Sequence, residues 1–500
     1  MSEAVDHPSG APVPNSTSSF WHSEPNEFLL GHHTTPELPA EADVVIVGSG
    51  ITGSSAARFL VEDPRYNGRS VVMLEAREAC WGATGRNGGH CQVLPVARDA
   101  GVAHFELLNY NAVRSYVAEN DVACEWRSLT ACRAFYSEEM FHSEASKVAA
   151  LKTSHPEIGQ LVEVVTDKDA LAKYRVSTAV GATLCHAAAS LWPYKLVTHV
   201  LETLVRAGQL NLQTNTPVER ITPGSGGAPA TVHTPRGAIR ARKVILATNG
   251  YTSHLLPGFA DLIVPVRGEM SALLPPRGAP HLSASYGLEG QPGQASHLSD
   301  YLNQRPYEGV PNPAGHYMYG GGDVAATLPR VGVWDDSVVD EGMAKWLRRT
   351  LLVRMELGGE TDGVEELRAT HQWTGIMGYS RDAAPWVGEV PGMKGVWLAG
   401  AYSGHGMPNG TLCGKAIVKL VLADEEGAST SDAQKTIVEA VGLPEGYLIT
   451  EERIEEARKL PPVAKADTMG TFGTYAPSAS KVEKAGFVDY LKSFVWSPKA

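Results

Sequence analysis

The chain has 500 residues, 43% of them hydrophobic and 20% charged, with a formal net charge of -12. That length leaves room for two or three domains around a sizeable core, and the composition is that of a globular protein. The negative charge argues against a general binder of nucleic acid or anionic membrane, no apolar run approaches the ~20 residues of a membrane helix, and the first 40 residues lack the apolar stretch of a secretory signal.

The six cysteines (Cys80, Cys91, Cys124, Cys132, Cys185 and Cys413) form no C-x-x-C pair and are too sparse for a disulfide framework. They predict reduced core thiols, no metal site and a reducing compartment, the cytoplasm. The closing Pro498-Lys499-Ala500 is not the Ser-Lys-Leu of a peroxisomal address, so that location is left open without being indicated.

Residues 1–40 read as an N-terminal arm, with Phe20, Trp21, Phe28 and Leu29 available to pin it down by burial. Val44 to Val47 is an apolar, β-branched run that suits a parallel strand covered on both faces. It leads into Gly48, Gly50 and Gly53, spaced G-x-G-x-x-G, with Ser49, Ile51 and Thr52 between them and a helix continuing from Ser54 to Val61. The glycines serve a tight turn, a close backbone approach to a pyrophosphate and helix–strand packing, while the helix N-terminus offers unpaired N–H groups. A second apolar strand, Ser70 to Leu74, ends on Glu75 and Ala76, where an acid is wanted for a ribose. Strand, glycines, helix, strand and acid in that order predict a dinucleotide site.

Cys80 to Cys91, CWGATGRNGGHC, follows directly. Its glycines expose backbone N–H groups to a flat ligand. Ala103 to Glu119 has helical periodicity, Cys132–Tyr136 and Gly181–Cys185 read as strands of a separate sheet, and Tyr194 to Ala207 is a helix entered through Pro193. Thr231 to Asn249 predicts a hairpin whose last strand, Val244 to Ala247, returns to the central sheet and stops at Thr248 and Asn249, a polar strand end of the kind where open α/β sheets bind ligands. Residues 262 to about 330 suit an antiparallel substrate sheet. Trp346 to Leu357 reads as a helix and Arg368 to Gly378 as a strand. Val396 to Leu422 repeats the strand, glycine turn and helix of the opening, pointing a second helix N-terminus at the same ligand face. Beyond it, 426–500 reads as a polar surface extension with helices at Glu451–Leu460 and Lys481–Phe494.

FAD is favoured over NAD. The nucleotide unit is split from its C-terminal partner strand by over 300 residues, and neither Gly224 to Gly227 nor Gly320 to Gly322 opens a helix after a strand, so no nicotinamide domain is apparent. No redox cysteine pair exists, so electrons enter from an organic substrate.

Five segments, VVIVGSGITG with Glu75, GATGRNGG (82–89), VILATNGYT (244–252), PVRGEM (265–270) and WLAGAYSGHGM (397–407), together resemble the D-amino-acid oxidase (DAO) superfamily of FAD-dependent oxidoreductases, which includes glycine and sarcosine oxidases. The pattern is most similar to γ-glutamylputrescine oxidase-like and fungal FAD-dependent oxidoreductases, and spans about 42 to 422. The implied fold is a Rossmann-like FAD-binding domain of the GR2 flavoprotein type, α/β, interleaved with a β-rich antiparallel substrate domain. The FAD domain takes 41–100, 190–260 and 365–425, and the substrate domain 101–189 and 261–364.

By that resemblance Ser49 to Thr52 hold the FAD pyrophosphate and Glu75 the ribose. Gly82, Ala83, Thr84, Gly85, Arg86, Asn87, Gly88 and Gly89 form the loop at the flavin ring, Val218 lies near the adenine with Thr248 and Asn249, Gly375 adjoins the site, and Gly404, His405, Gly406 and Met407 donate N–H groups to the flavin N1/C2=O edge, where reduction puts negative charge. The implied reaction is oxidation of a C–N bond of a small-molecule amine or amino acid by hydride transfer to flavin N5, with the imine then hydrolysed and oxygen as acceptor, giving hydrogen peroxide. A dehydrogenase serving a quinone or protein carrier and a flavin-binding scaffold without turnover are the alternatives. Arg267, Glu269, Tyr319, Trp373 and His405 are the catalytic candidates, with Tyr379 also facing the ring and Glu269 suited to a substrate ammonium. Arg381 and Asp382 are expected to form a loop ion pair. Two departures from sarcosine oxidases stand out: no lysine lies in His316 to Ala325 to activate oxygen, and His371 stands where their covalent flavin cysteine does, so noncovalent FAD is expected.

Overall fold

The structure, a computed structural model, describes residues 7–291, 294–308 and 314–463. The helix expected at Lys481–Phe494 lies outside them. Val44 to Val47 are essentially buried within the strand Glu41–Val47, which becomes the centre of an eight-stranded sheet. Val71–Leu74 and Asn211–Gln213 extend it in parallel on one side, Gly237–Leu246 and Val396–Gly400 on the other. Gly237–Leu246 does two jobs. Its first half closes an antiparallel hairpin with Ala230–Thr234, and its second half runs beside Glu41–Val47 in the register Ile46↔Ile245, the return that the hairpin reading predicts. Because the strands are parallel, both following helices, Ile51–Glu62 and Gly410–Glu425, begin at the same edge of the sheet, and they pack on each other there.

The second sheet has nine strands. Ala369–Ser380, Ile263–Leu273, Tyr317–Gly321, Gln294–Gln304 and Ala284–Gln291 are antiparallel neighbours. The sheet is mixed rather than antiparallel throughout, because Arg127–Phe135 lies parallel to Ala284–Gln291. These two strands are joined by a long path through the other sheet, so nothing forces the reversal that a hairpin would. His90–Gln92 and Ala369–Ser380 also belong to this sheet, so the chain enters it inside segments that composition groups with the nucleotide unit.

The arm is pinned as expected. Phe20 and Trp21 form a short 3-10 turn, both buried, and Leu29 is buried further along. Trp21 Nε1 donates to the Asn87 carbonyl at 2.5 Å, and Trp192 Nε1 donates to the Trp21 carbonyl at 2.8 Å. The six cysteines are free and buried. Among the described residues, no helix is long and apolar enough to cross a membrane and no group of three or more His, Cys, Asp or Glu could hold a metal.

Two expectations need correction. Arg381 and Asp382 do not pair with each other: Arg381 reaches Asp261 at 3.1 Å and Asp382 reaches Arg453 at 2.9 Å, because neighbouring side chains on an irregular turn diverge to separate partners. The segment 426–463 is not a surface appendage. Tyr447, Leu448 and Ile449 are buried, Tyr447 Oη donates to Asn409 Oδ1 at 2.9 Å, and the Arg453 guanidinium lies 3.7 Å over the Trp386 ring. Helix Glu451–Lys459 exists as expected, preceded by an amphipathic helix Thr430–Val441.

Candidate active site

A cavity of about 660 Å³ runs from the strand ends of the first sheet to the face of the second. At the nucleotide end its wall is mostly backbone. Gly48, Ser49, Gly50, Ile51 and Thr52 line it, and Gly50, the residue before helix Ile51–Glu62, provides no side-chain cap. Ile51 N–H donates to Thr84 Oγ1 at 3.0 Å; the rest of this helix start faces the cavity with the partial positive charge that favours an anion. A Cβ on Gly53 would lie 1.9 Å from the Gly48 carbonyl oxygen, so this glycine is required for the turn itself. These features fit a dinucleotide pyrophosphate. Glu75 lines the cavity too: its Oε2 accepts from Ser49 N–H at 3.0 Å and Ser49 Oγ at 2.6 Å, which ties the acid to the glycine turn. Ala76, Val218, Thr248 and Asn249 complete this end.

The loop 82–89 divides its residues between two tasks. Gly82, Ala83, Thr84, Arg86, Asn87 and Gly88 line the cavity; Gly85 and Gly89 do not. A Cβ on Gly85 would meet the Cys80 carbonyl oxygen at 2.1 Å, and one on Gly89 would meet the Leu191 carbonyl at 2.4 Å and the Trp21 ring, so these glycines admit the arm. The Arg86 guanidinium also turns to the arm and away from a cofactor. It donates to the Thr17 and Thr374 carbonyls at 2.7 and 2.8 Å and lies 3.4 Å from Asp336, a fully buried carboxylate that Arg77 also meets at 3.0 Å. Burial, partly offset by Asp336, pulls Arg86 down to about 10.

The second turn, Gly404 to Met407, lies opposite and lines the cavity with all four residues. Ala401 and Ser403 hold φ values of 63° and 49°, a region non-glycine residues enter at a cost and typically where the surroundings enforce it. Here Ala401 N–H donates to Asn249 Oδ1 at 3.1 Å and Ser403 N–H to the Gly378 carbonyl at 2.8 Å, while the far side of the turn is held by helix Ala100–Glu119. Its Asn109 donates to the Met407 carbonyl at 3.0 Å and accepts from Leu412 N–H at 2.9 Å. One turn earlier, the fully buried Glu106 accepts from Asn409 Nδ2 at 3.2 Å and Leu94 N–H at 3.0 Å and lies 3.2 Å from His405 Nε2. Burial works against the Glu106 charge, but His405, Arg98 and the Leu94 N–H outweigh it and hold the carboxyl below its usual range. Nearby, burial with a contribution from His405 pushes His90 down to about 3, so that ring is neutral; its Nε2 is 2.8 Å from Ser285 Oγ.

Of the five catalytic candidates, His405 and Glu269 line the cavity and Arg267, Tyr319 and Trp373 do not. Arg267 donates to the Val338 carbonyl at 2.5 Å. Tyr319 donates to Asp300 at 3.0 Å in the core beyond the sheet. Trp373 is fully buried and donates to the Arg86 carbonyl at 2.8 Å, so it supports the loop 82–89 from behind. Glu269 Oε1 accepts from Thr374 Oγ1 at 2.7 Å and from Asp340 N–H at 3.2 Å, Oε2 has no hydrogen bond among the described residues, and burial pushes the carboxyl up to about 7. Tyr379 and Gly375 are also in the lining. His371 packs against Phe20 of the arm, with ring centroids 5.3 Å apart, and is outside the lining.

Sequence reasoning missed the substrate-side wall. Tyr301 sits in a cross-strand row, Arg133–Gly287–Tyr301–Gly320–Met270–Trp373, formed by six different strands. Its ring covers Gly320, where a Cβ would lie 2.8 Å from it, its Oη is 2.9 Å from Met270 Sδ, and it packs against Gly88 of the loop 82–89. Arg133, Glu144, Glu289 and Gln92 line the cavity beyond it. The period-2 alternation of each strand was the available signal, but which strands are neighbours is not written in it.

The family model described as "FAD dependent oxidoreductase" (DAO) matches residues 43–420. Gamma-glutamylputrescine oxidoreductase of Escherichia coli (strain K12) is 24% identical over 430 residues, covering 82% of this chain and 90% of that protein. Among solved structures, L-amino acid deaminase from Proteus vulgaris is 18% identical with a TM-score of 0.62, covering 82% of this chain and 96% of that one. Glycine oxidase from Geobacillus kaustophilus is 20% identical with a TM-score of 0.59, covering 78% and 96%.

Proposed function

The chain belongs to the family of FAD-dependent oxidoreductases, and from that premise we propose that it oxidises the C–N bond of a small-molecule amine or amino acid, with FAD held noncovalently. The observation that carries this reading is the cavity onto which the start of helix Ile51–Glu62 and the turn Gly404–Met407 open, and which continues past Tyr301 into a space walled by side chains. The segments 41–100, 190–260 and 365–425 hold the cofactor, and 101–189 and 261–364 the substrate, with strands His90–Gln92 and Ala369–Ser380 crossing into the substrate sheet.

Ser49 to Thr52 hold the pyrophosphate, Glu75 the ribose and Gly404 to Met407 the ring edge that gains negative charge; bound FAD supplies the two-electron acceptor. Glu106 fixes the His405 imidazole through Nε2, and His405 takes the proton from the substrate ammonium so that the nitrogen lone pair is free when the neighbouring carbon is oxidised. Tyr301, lying across Gly320 beside Gly88, shields the reacting end from water and positions the substrate. The imine product then hydrolyses. Glu269, with one oxygen unpartnered, is the second acid available to an ammonium.

Electron transfer to oxygen with release of peroxide is the leading outcome. A quinone or protein carrier is favoured by one observation: Arg86 is committed to the arm and Asp336, and His90 is neutral, so of these three cavity-lining side chains only His405, beside Glu106, is left as a cation that would assist oxygen. Anaerobic mixing of the FAD-loaded protein with a panel of amines and amino acids, followed by air, tests both. Bleaching of the flavin absorbance by an amine, then recovery with peroxide, is expected. No bleaching by any member overturns the amine reading, and bleaching that only a quinone reverses selects the dehydrogenase.

A further inference from the structure

The wall of the cavity beyond Tyr301 has a charge arrangement that the proposed oxidation does not use. Arg133 and Gly287 are paired neighbours, and Gly287 pairs in turn with Tyr301. Two strand spacings of ~4.8 Å therefore put Arg133 about 10 Å from Tyr301 along the sheet. The Arg133 guanidinium bridges two glutamates: Nη1 donates to Glu144, Nε donates to Glu289 Oε1 at 3.2 Å, and Nη2 lies 3.1 Å from the same oxygen. Two glutamates and one arginine leave one formal negative charge, and both glutamates are more than nine-tenths buried. Burying an uncompensated charge is expensive unless a partner of opposite sign arrives. In each carboxylate the hydrogen bonds fall on Oε1, and Oε2 has no hydrogen bond among the described residues.

Independently of the acids, Gln92 points to a ligand at this place. It is 9% exposed, lines the same cavity, borders Arg133 and Glu144, and its amide makes no hydrogen bond among the described residues. A buried primary amide left unpaired costs free energy, and either of its ends can turn to meet a ligand. Gly287 keeps the floor open here, since a Cβ would press on Arg133 Cγ at 3.2 Å and Glu289 Oε1 at 3.3 Å. The mouth beyond carries Glu139, Ser143 and Lys147 on the exposed face of helix Glu138–Ser154.

We propose that the cavity end formed by Glu144, Glu289, Arg133 and Gln92 is a subsite for a second cationic group, an ammonium or guanidinium carried on the tail of the amine substrate. The inference rests on the amine reading above and narrows it to substrates with two cationic nitrogens. A carboxylate tail is disfavoured, because the one guanidinium that could receive it already holds two glutamates.

The test uses the FAD-loaded full chain with 1,6-diaminohexane, n-hexylamine and 6-aminohexanoate, in wild type and in Glu289→Gln and Glu144→Gln, each of which keeps an acceptor for Arg133. Flavin reduction is followed anaerobically, and binding separately by calorimetry. The wild type is expected to favour the diamine over hexylamine by about tenfold in kcat/KM, with 6-aminohexanoate poorest, and each variant to erase most of that advantage. Hexylamine or 6-aminohexanoate matching the diamine, or a diamine advantage untouched by both variants, overturns the subsite while leaving amine oxidation standing. Diamine binding that exceeds hexylamine binding and depends on Glu289, without flavin reduction by any amine, supports the subsite and overturns the reaction. If the diamine neither binds nor reduces, both fall.

Discussion

The two ends of the cavity are built by opposite means. The nucleotide end is made of backbone: glycine turns and the start of helix Ile51–Glu62, contributed by short, contiguous stretches, with Glu75 tied back onto Ser49. The substrate end is made of side chains that six separate strands and one helix bring together, with Gly287 and Gly320 clearing the floor between them. Backbone recognition suits a ligand that does not change, since any residue can supply an N–H and only bulk is forbidden. Side-chain recognition is where a shared fold can take on different substrates.

The harshest way to break the nucleotide end is bulk. Gly53→Val places carbon against the Gly48 carbonyl, backbone that cannot move aside, and protein purified from this variant is expected to carry no flavin absorbance. Next comes the support behind the loop. Asp336→Asn leaves Arg77 and Arg86 without their buried carboxylate, and urea denaturation is expected to report a loss of about 3–5 kcal/mol.

A third effect separates the substrate sheet from the nucleotide end through pH. Glu269 is held at about 7 in the folded protein against an ordinary 4.5, so between those values the folded state keeps a proton the unfolded state has lost. Stability therefore falls as pH rises from about 4.5 to about 7, by about 3 kcal/mol in total, and Glu269→Gln is expected to flatten that slope. Denaturant titrations across the interval measure it. The smallest effect is local: Glu75→Ala removes the acceptor proposed for the ribose and is expected to weaken FAD by about 2 kcal/mol, read as a higher Kd by flavin fluorescence. Unchanged affinity would detach Glu75 from the cofactor.

What could be read from sequence follows the same division. Val44 to Gly53, the returning strand to Ala247 and the turn at Gly404 announce themselves because strand, glycine and helix are adjacent in the chain, and the structure puts all three at one edge of the first sheet. Arg86 lines the cavity as expected, but its guanidinium is held by the arm and Asp336, a partnership that residue type cannot reveal. Tyr319 faces the other side of the sheet, since strand alternation does not state which side holds the ligand, whereas Trp373 shares the face of Tyr301 and Met270 but is covered by the loop 82–89, whose Arg86 carbonyl it meets. Tyr301, Glu289 and Arg133 were invisible because their meeting depends on the order Gln294–Gln304, Ala284–Gln291, Arg127–Phe135, which includes a parallel pair that no local signal fixes. Glu106 and Asn109 were hidden inside a helix whose periodicity advertised only its apolar face.

A crystal structure of the FAD-loaded protein tests the central claim most directly. The account predicts the pyrophosphate on the backbone N–H groups at the start of helix Ile51–Glu62 and the flavin ring between Gly404–Met407 and Gly88, with Tyr301 at its substrate side. A ring placed elsewhere, or a pyrophosphate away from Gly50 to Thr52, would contradict it.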